Sequence, residues 1–270
     1  MFKLKNLLNN PNVKVIDKKG GMRILEYTND LSTLPSYATT AYFSNKMNIR
    51  KRQVLIEING DEYTVSSGAM QWTAGGVEAV TGVKGVGDLL GKAVKGAVTK
   101  ESTIKPVYKG KGVLMLEPTY RHILLEDVSE WEGGMVLDDG MFLACDSGVK
   151  QDVVMRSNVS SALLGNEGLF NLKLEGTGFA ALESLVPRSE LVEIELENDT
   201  LKIDGNFAVA WSGTLNFTVE KSTKTLIGSG VSGEGLVNVY RGTGKVLLAP
   251  VNTQAMSSTH ISAIPSQLRK

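Results

Sequence analysis

The chain has 270 residues, 42% of them hydrophobic, which is enough to bury one large β core or two to three small ones. Its 29 Lys plus Arg balance 29 Asp plus Glu, so the whole-protein field that would gather phosphate backbones or anionic lipid is missing, which argues against nucleic-acid binding. One cysteine and two histidines exclude an internal disulfide and a Cys/His zinc site, and they suit a reducing, cytoplasmic setting.

From Met1 to Pro11, lysine and asparagine interrupt the few apolar residues, so no signal-peptide core is expected, and no run reaches membrane-spanning length. Asn12 to Tyr27 predicts a hairpin around Lys18-Lys19-Gly20-Gly21, with Val13, Val15 and Ile24 as its apolar contacts. Residues 1–48 are therefore read as an N-terminal hairpin and extension. The basic run Asn48 to Arg52 reads as a solvated entry to a strand, compatible with RNA contact but without a supporting field.

A repeat organises the rest. Gly165 to Gly178 (GNEGLFNLKLEGTG) returns as Ser232 to Gly244 (SGEGLVNVYRGTG), and stepping back from Glu167 by the Glu234–Glu167 spacing, less one residue, reaches Glu101. Gly68, Gly140 and Gly205 align, as do Gly76, Gly148 and Gly213. The register continues through the Gly-x-Gly pairs 110/112, 176/178 and 242/244, then Leu116, Leu182 and Leu248. The predicted units are repeat 1 at 49–120 with an inserted segment at 80–98, repeat 2 at 121–187 and repeat 3 at 188–251, followed by a loosely held tail at 252–270.

Within the units, Val192, Ile194 and Leu196 alternate with Glu193, Glu195 and Glu197, and Phe170, Leu172 and Leu174 alternate with Asn171, Lys173 and Glu175. Each pattern is that of a half-buried strand. The Gly-x-Gly pairs are predicted to be tight hairpin turns, and Pro106 to mark an edge or bulge in repeat 1. The fold expected is all-β: three tandem β-sandwich units in a pseudo-threefold arrangement.

The Gly-Glu-Gly-Leu boxes, Ser67 to Glu78 (SGAMQWTAGGVE) and Gly242 to Pro250 (GTGKVLLAP) resemble the altered-inheritance-of-mitochondria family over about residues 50–251. That resemblance implies a tandem triplicate of short double-stranded β-helix units, similar to the subunit of the tryptophan RNA-binding attenuation protein. In that protein, separate subunits form a ring that binds tryptophan between neighbours and RNA on a basic rim; the likeness here extends to fold alone. The family supplies no catalytic or ligand set to carry over. Repeat 2 ends in Glu183-Ser184 where the others have Pro118 and Pro250, and repeat 1 lacks Gly-Leu after Glu101.

Glu101, Glu167 and Glu234 are the candidate site residues. Three acids related by pseudo-symmetry can bind a hard cation through oxygen, or each can accept hydrogen bonds from turn N–H groups. Residues 80–98 fit neither the dinucleotide fingerprint nor a P-loop. They read as an amphipathic stretch weakened by five glycines, with Lys84, Leu89, Lys92 and Lys95 as a candidate partner surface. A flap over its own sheet, partner docking and basic contact with a membrane surface are its three readings. His122, His260 and Cys145 lack motif partners, Cys145 reads as a small buried thiol, and Trp72, Trp131 and Trp211 read as packing residues. No catalytic residue and no cofactor are expected. The functional expectation is a non-catalytic β-repeat binding or scaffold protein, in assembly or in stress- or envelope-related processes, with a protein partner or self-association. Small-ligand or RNA binding at seams between repeats, and an uncharacterised enzyme, are the alternatives.

Overall fold

The computed structural model describes residues 2–80, 105–155, 170–221 and 236–252. β1 (Val13–Lys19) and β2 (Met22–Tyr27) pair antiparallel around Gly20 and Gly21, Val13 facing Tyr27 and Lys19 facing Met22. A 3-10 turn (Pro35–Tyr37) and the short helix α1 (Ala38–Lys46) follow, neither with a buried residue. Next come β3 (Arg52–Asn59), β4 (Tyr63–Val65), β5 (Met70–Val80) and β6 (Val107–Leu116). The middle of the chain forms β7 (His122–Asp127), β8 (Met135–Leu137), β9 (Phe142–Asp146), β10 (Val149–Met155), β11 (Phe170–Gly176) and β12 (Phe179–Ser184). The last four are β13 (Val192–Asp204), β14 (Ala208–Ser212), β15 (Asn216–Lys221) and β16 (Leu236–Leu248).

The protein is all-β, and hydrogen bonding joins its strands into two sheets. The nine-stranded sheet runs β1-β2-β3-β6-β4-β9-β12-β7 with β5 on β6, and the seven-stranded sheet runs β10-β11-β8-β14-β16-β13 with β15 on β16. The larger sheet curls nearly into a barrel: β1 returns to β7, and Lys19 Nζ lies 5.9 Å above the ring of Phe179 on β12. These ladders cross the predicted unit borders, β4 pairing with β9 and β8 with β14, so three separate sandwiches are not what the strands form. The middle segment straddles both sheets, with β7, β9 and β12 in one and β8, β10 and β11 in the other. Four clusters of buried side chains fill the interior, one of them (Val13, Leu25, Leu55, Val113 and Met115) packed against Leu7 and Trp72. Among the described residues no helix is long and apolar enough to cross a membrane.

The Gly-x-Gly pairs are not hairpin turns. Gly110 and Gly112 lie inside β6 and Gly242 and Gly244 inside β16, while Gly176 and Gly178 sit at the break between β11 and β12. The chain keeps its direction through each. Gly110, Gly176 and Gly242 have φ of +116°, +109° and +123°, which bends a strand without reversing it. In the middle segment that bend is where the chain passes from the smaller sheet to the larger. The strand patterns hold in part: Ile194 and Leu196 turn inward against exposed glutamates on β13, but Val192 is exposed, and Asn171, expected on the wet face of β11, is buried with its amide donating to the Leu137 carbonyl at 2.8 Å. Pro106 marks neither an edge nor a bulge: it precedes β6, which is paired on both sides, and its carbonyl accepts from the Val65 N–H at 3.0 Å.

Candidate functional site

The sequence-predicted residues fall almost wholly beyond what the structure describes. Glu101, Glu167 and Glu234 lie outside the described residues, as do Lys84, Leu89, Lys92, Lys95, His260 and the tail from 253 onward. Among the described residues no group of His, Cys, Asp and Glu is placed to hold a metal. Cys145 is fully buried, and burial pushes its thiol up to about 12, which keeps it protonated and unreactive at neutral pH.

The basic run at 48–52 is not a solvated entry. Arg52 is 2% exposed at the start of β3, and its guanidinium lies 2.7 Å from Glu26 Oε2 on β2. It also donates to the Asn48 carbonyl at 3.0 Å, the Asn48 side-chain oxygen at 2.9 Å and the Arg121 carbonyl at 3.4 Å. Arg50 reaches the other Glu26 oxygen at 2.6 Å, and Lys51 pairs with Asp30 at 3.2 Å. The positive charge is thus spent within the chain. Half-buried His122 stands beside this knot, and burial first, then the neighbouring Arg52 charge, push its imidazole down to about 4. The arrangement ties β2, β3 and the loop before β7 together, with both Glu26 oxygens held by arginines. Sequence reasoning missed it because Glu26 and Arg52 lie in separate strands and meet only through the β2–β3 ladder.

Two concave surfaces flank the Gly-x-Gly bends. A groove of about 570 Å³ opens beside Gly244, lined by Glu130, Glu132, Glu195, Glu197, Ser212 and Lys245 among others. Lys245 Nζ lies 4.7 Å above the ring of buried Trp131, whose Nε1 has no hydrogen-bond partner among the described residues, and the Ser212 hydroxyl accepts from the Lys245 N–H at 2.9 Å. The second groove, of about 580 Å³ beside Gly75, Gly76 and Lys111, has the chain's own Phe2 in its wall.

A run of exposed apolar residues lies elsewhere. The segment from Leu31 to Met47 projects from the end of β2 and β3, held at its base by the Asn45 side chain donating to the Thr28 carbonyl, by Lys51–Asp30, and by the Tyr120 hydroxyl on Asp30. Leu31, Leu34, Tyr37, Tyr42, Phe43 and Met47 are all exposed on it. Apolar patches of this kind mark contact sites on soluble proteins. The signal was present in the sequence as a stretch from Leu31 to Asn45 without one charged residue.

Residues 47–251 match the family model described as mitochondrial biogenesis AIM24. An uncharacterised protein of Streptococcus pyogenes serotype M6 is 30% identical over 223 residues, covering 78% of this chain and 87% of the relative. A crystal structure of a Streptococcus pyogenes protein has the same fold with a TM-score of 0.57 at 26% identity, over 81% of this chain and 96% of that one.

Proposed function

The chain belongs to the mitochondrial biogenesis AIM24 family, and from that premise we propose that it is a non-catalytic β-repeat binding or scaffold protein that docks a partner on the projection at residues 31–47. The observation carrying this is the exposed apolar set there, two of whose members, Tyr42 and Phe43, lie on a helix without a buried residue and the rest on the turns that flank it. A side chain left in water forgoes about 1.5–3 kcal/mol of burial, so a cluster of them is maintained at a cost unless a partner covers it. The buried, protonated Cys145 suits a reducing cytoplasm.

The scaffold reading takes the strands as three copies of one unit whose ladders have fused. In its support, Gly68, Gly140 and Gly205 have φ of +79°, +76° and +83°, and Gly110, Gly176 and Gly242 likewise share one conformation at +116°, +109° and +123°. The long strands β6 and β16, and the pair β11 and β12, also hold the same middle place in their ladders. A second reading, a small cationic ligand at the seam beside Gly244, is favoured by the acidic lining of that groove.

The test is a tagged protein carrying Phe43→Ser and Met47→Ser, compared with wild type for co-purifying partners. Partners lost with the fold intact by circular dichroism is the expected result. The same partners retained by the variant sinks the docking role.

A further inference from the structure

We infer that residues 2–10 form a displaceable strap, whose Phe2 occupies a seat over Gly75 that takes an aromatic side chain carried on a short peptide segment. Gly75 faces Gly112 across the β5–β6 ladder, and Val77 faces Gly110, so side chains are missing from both strands at that point and the backbone is bare. Glycine inside a strand marks a place where another group approaches closely, and an aromatic ring laid over it restores the packing the missing side chain forgoes. The ring here is Phe2: a Cβ placed on Gly75 would meet its Cε1 at 3.0 Å. Phe2 also walls the groove of about 580 Å³ together with Gly75, Gly76 and Lys111, and 42% of its own surface stays in water.

Side-chain contacts hold the strap in place. Among the described residues, the hydrogen bonds made by residues 2–9 go to Asn10, whose side-chain amide donates to the Asn6 carbonyl at 3.2 Å and whose N–H donates to the Leu7 carbonyl at 3.1 Å. Residues 2–9 add no strand to either sheet, and Leu4 and Leu8 are exposed. Leu7 is the second anchor, packed, as Trp72 is, against the cluster of Val13, Leu25, Leu55, Val113 and Met115. A segment with two apolar anchors and no ladder opens at small cost while the sheet beneath it stays closed.

Seat and strap belong to different parts of the chain. Gly75, Gly76, Lys111 and Gly112 lie within the residues 47–251 that match the family model, and Phe2 precedes them. The tether through Asn10 to β1 holds Phe2 near its seat at an effective concentration on the order of millimolar. A free segment at micromolar concentration therefore reaches the seat only when Phe2 is removed, or when the segment is long enough to gain further contacts in the open groove beside it.

Fluorescence anisotropy with a labelled peptide of residues 2–10 (FKLKNLLNN), titrated with the full chain, tests the inference. The full chain carrying Phe2→Ser is expected to bind the peptide at least roughly tenfold more tightly than the wild type, whose own Phe2 competes for the seat. The same peptide with its Phe2→Ser change binds neither chain. In nuclear magnetic resonance spectra of the Phe2→Ser chain, the amide signals of Gly75, Gly76 and Gly112 shift as the peptide is added. A peptide that binds the two chains alike, or binds without its phenylalanine, overturns the inference, because another surface then takes it. So does a Phe2→Ser chain with the wild-type circular dichroism spectrum that binds no peptide, since Phe2 is then a fixed part of the fold. Limited proteolysis of the wild type gives an independent measure: trypsin should cut after Lys3 and Lys5 well before any cut inside β5 or β6, and resistance at both lysines overturns the strap's displacement.

Discussion

The bends in the first two Gly-x-Gly segments and the bend in the third share a spelling and a backbone conformation, yet their surroundings differ. A Cβ placed on Gly110 would meet the Gly76 carbonyl oxygen far inside van der Waals contact, and one on Gly176 would meet that of Gly148. At Gly242 the nearest atom is the Thr214 carbonyl oxygen at 3.6 Å. Glycine is therefore required twice over at Gly110 and Gly176, by conformation and by the partner strand's backbone, and by conformation alone at Gly242, although a Cβ on its neighbour Gly244 would meet the Ser212 Cβ at 2.6 Å. The third seam is also where the acidic groove opens. Substitution to alanine separates these demands. Gly242→Ala should cost the positive-φ penalty alone, about 1–3 kcal/mol, and Gly110→Ala and Gly176→Ala should lose roughly 1–3 kcal/mol more through forced displacement of the facing strand. Urea unfolding of the three variants measures the order, and equal losses would mean the close approach has no weight.

The same contrast between a closed and an open part of the molecule appears in two arginine–glutamate pairs. Arg52 and Glu26 are 2% and 7% exposed, whereas Arg241 and Glu220, 2.8 Å apart across β15 and β16, are 39% and 37% exposed. Removing one member of a buried pair strands the other charge, and Arg52→Met should destabilise the protein by about 3–5 kcal/mol, moderated by the contact Arg50 keeps with Glu26. Arg241→Met, in water, should leave the unfolding midpoint almost where it is in the wild type. Thermal unfolding of the two variants decides the matter: similar shifts would show that burial around Arg52 contributes nothing to the pair.

The close-packed part was also the more legible in sequence. The family followed from the glycine boxes, period-two alternation at 192–197 marked the first half of β13, and the turn at Gly20-Gly21 marked the pair β1 and β2, although Val15, expected among its apolar contacts, is exposed because β1 buries only Val13. The role of these glycines is not legible in the sequence, since a positive φ serves a turn and a mid-strand bend equally, and only ladder partners distant in the chain, such as Gly75 opposite Gly112, distinguish the two. α1 left no periodic trace because it buries no face, so nothing imposes a 3.6-residue repeat on Ala38–Lys46. The Arg52–Glu26 knot was hidden for a related reason: a charge run read along the chain is silent about which acid the next strand brings beside it. The glutamates at 101, 167 and 234 were chosen from the repeat alone, and they lie outside the described residues.

The smallest effect concerns pH and sharpens the contrast within the closed part. His122 titrates near 4 in the folded chain against an ordinary 6.5, held down by burial and then by Arg52, with Glu26 pulling weakly the other way. A folded value below the unfolded one means that the unfolded chain binds the extra proton between those two pH values. The contribution is therefore complete above about 6.5 and lost as pH falls through about 4. The ring is only half-buried, so solvent screening reduces this to on the order of 1 kcal/mol, or about 2–4 °C in melting temperature for a chain of this size. Other carboxylates also titrate in this range, so the informative quantity is the difference between wild type and His122→Gln, whose melting temperature should fall less steeply from pH 6.5 to 4. Arg52→Met should flatten the profile in the same direction, because it removes the positive neighbour that disfavours a second charge. A wild-type slope that survives both substitutions would separate His122 from the knot and leave burial of Arg52 as the sole source of its stability.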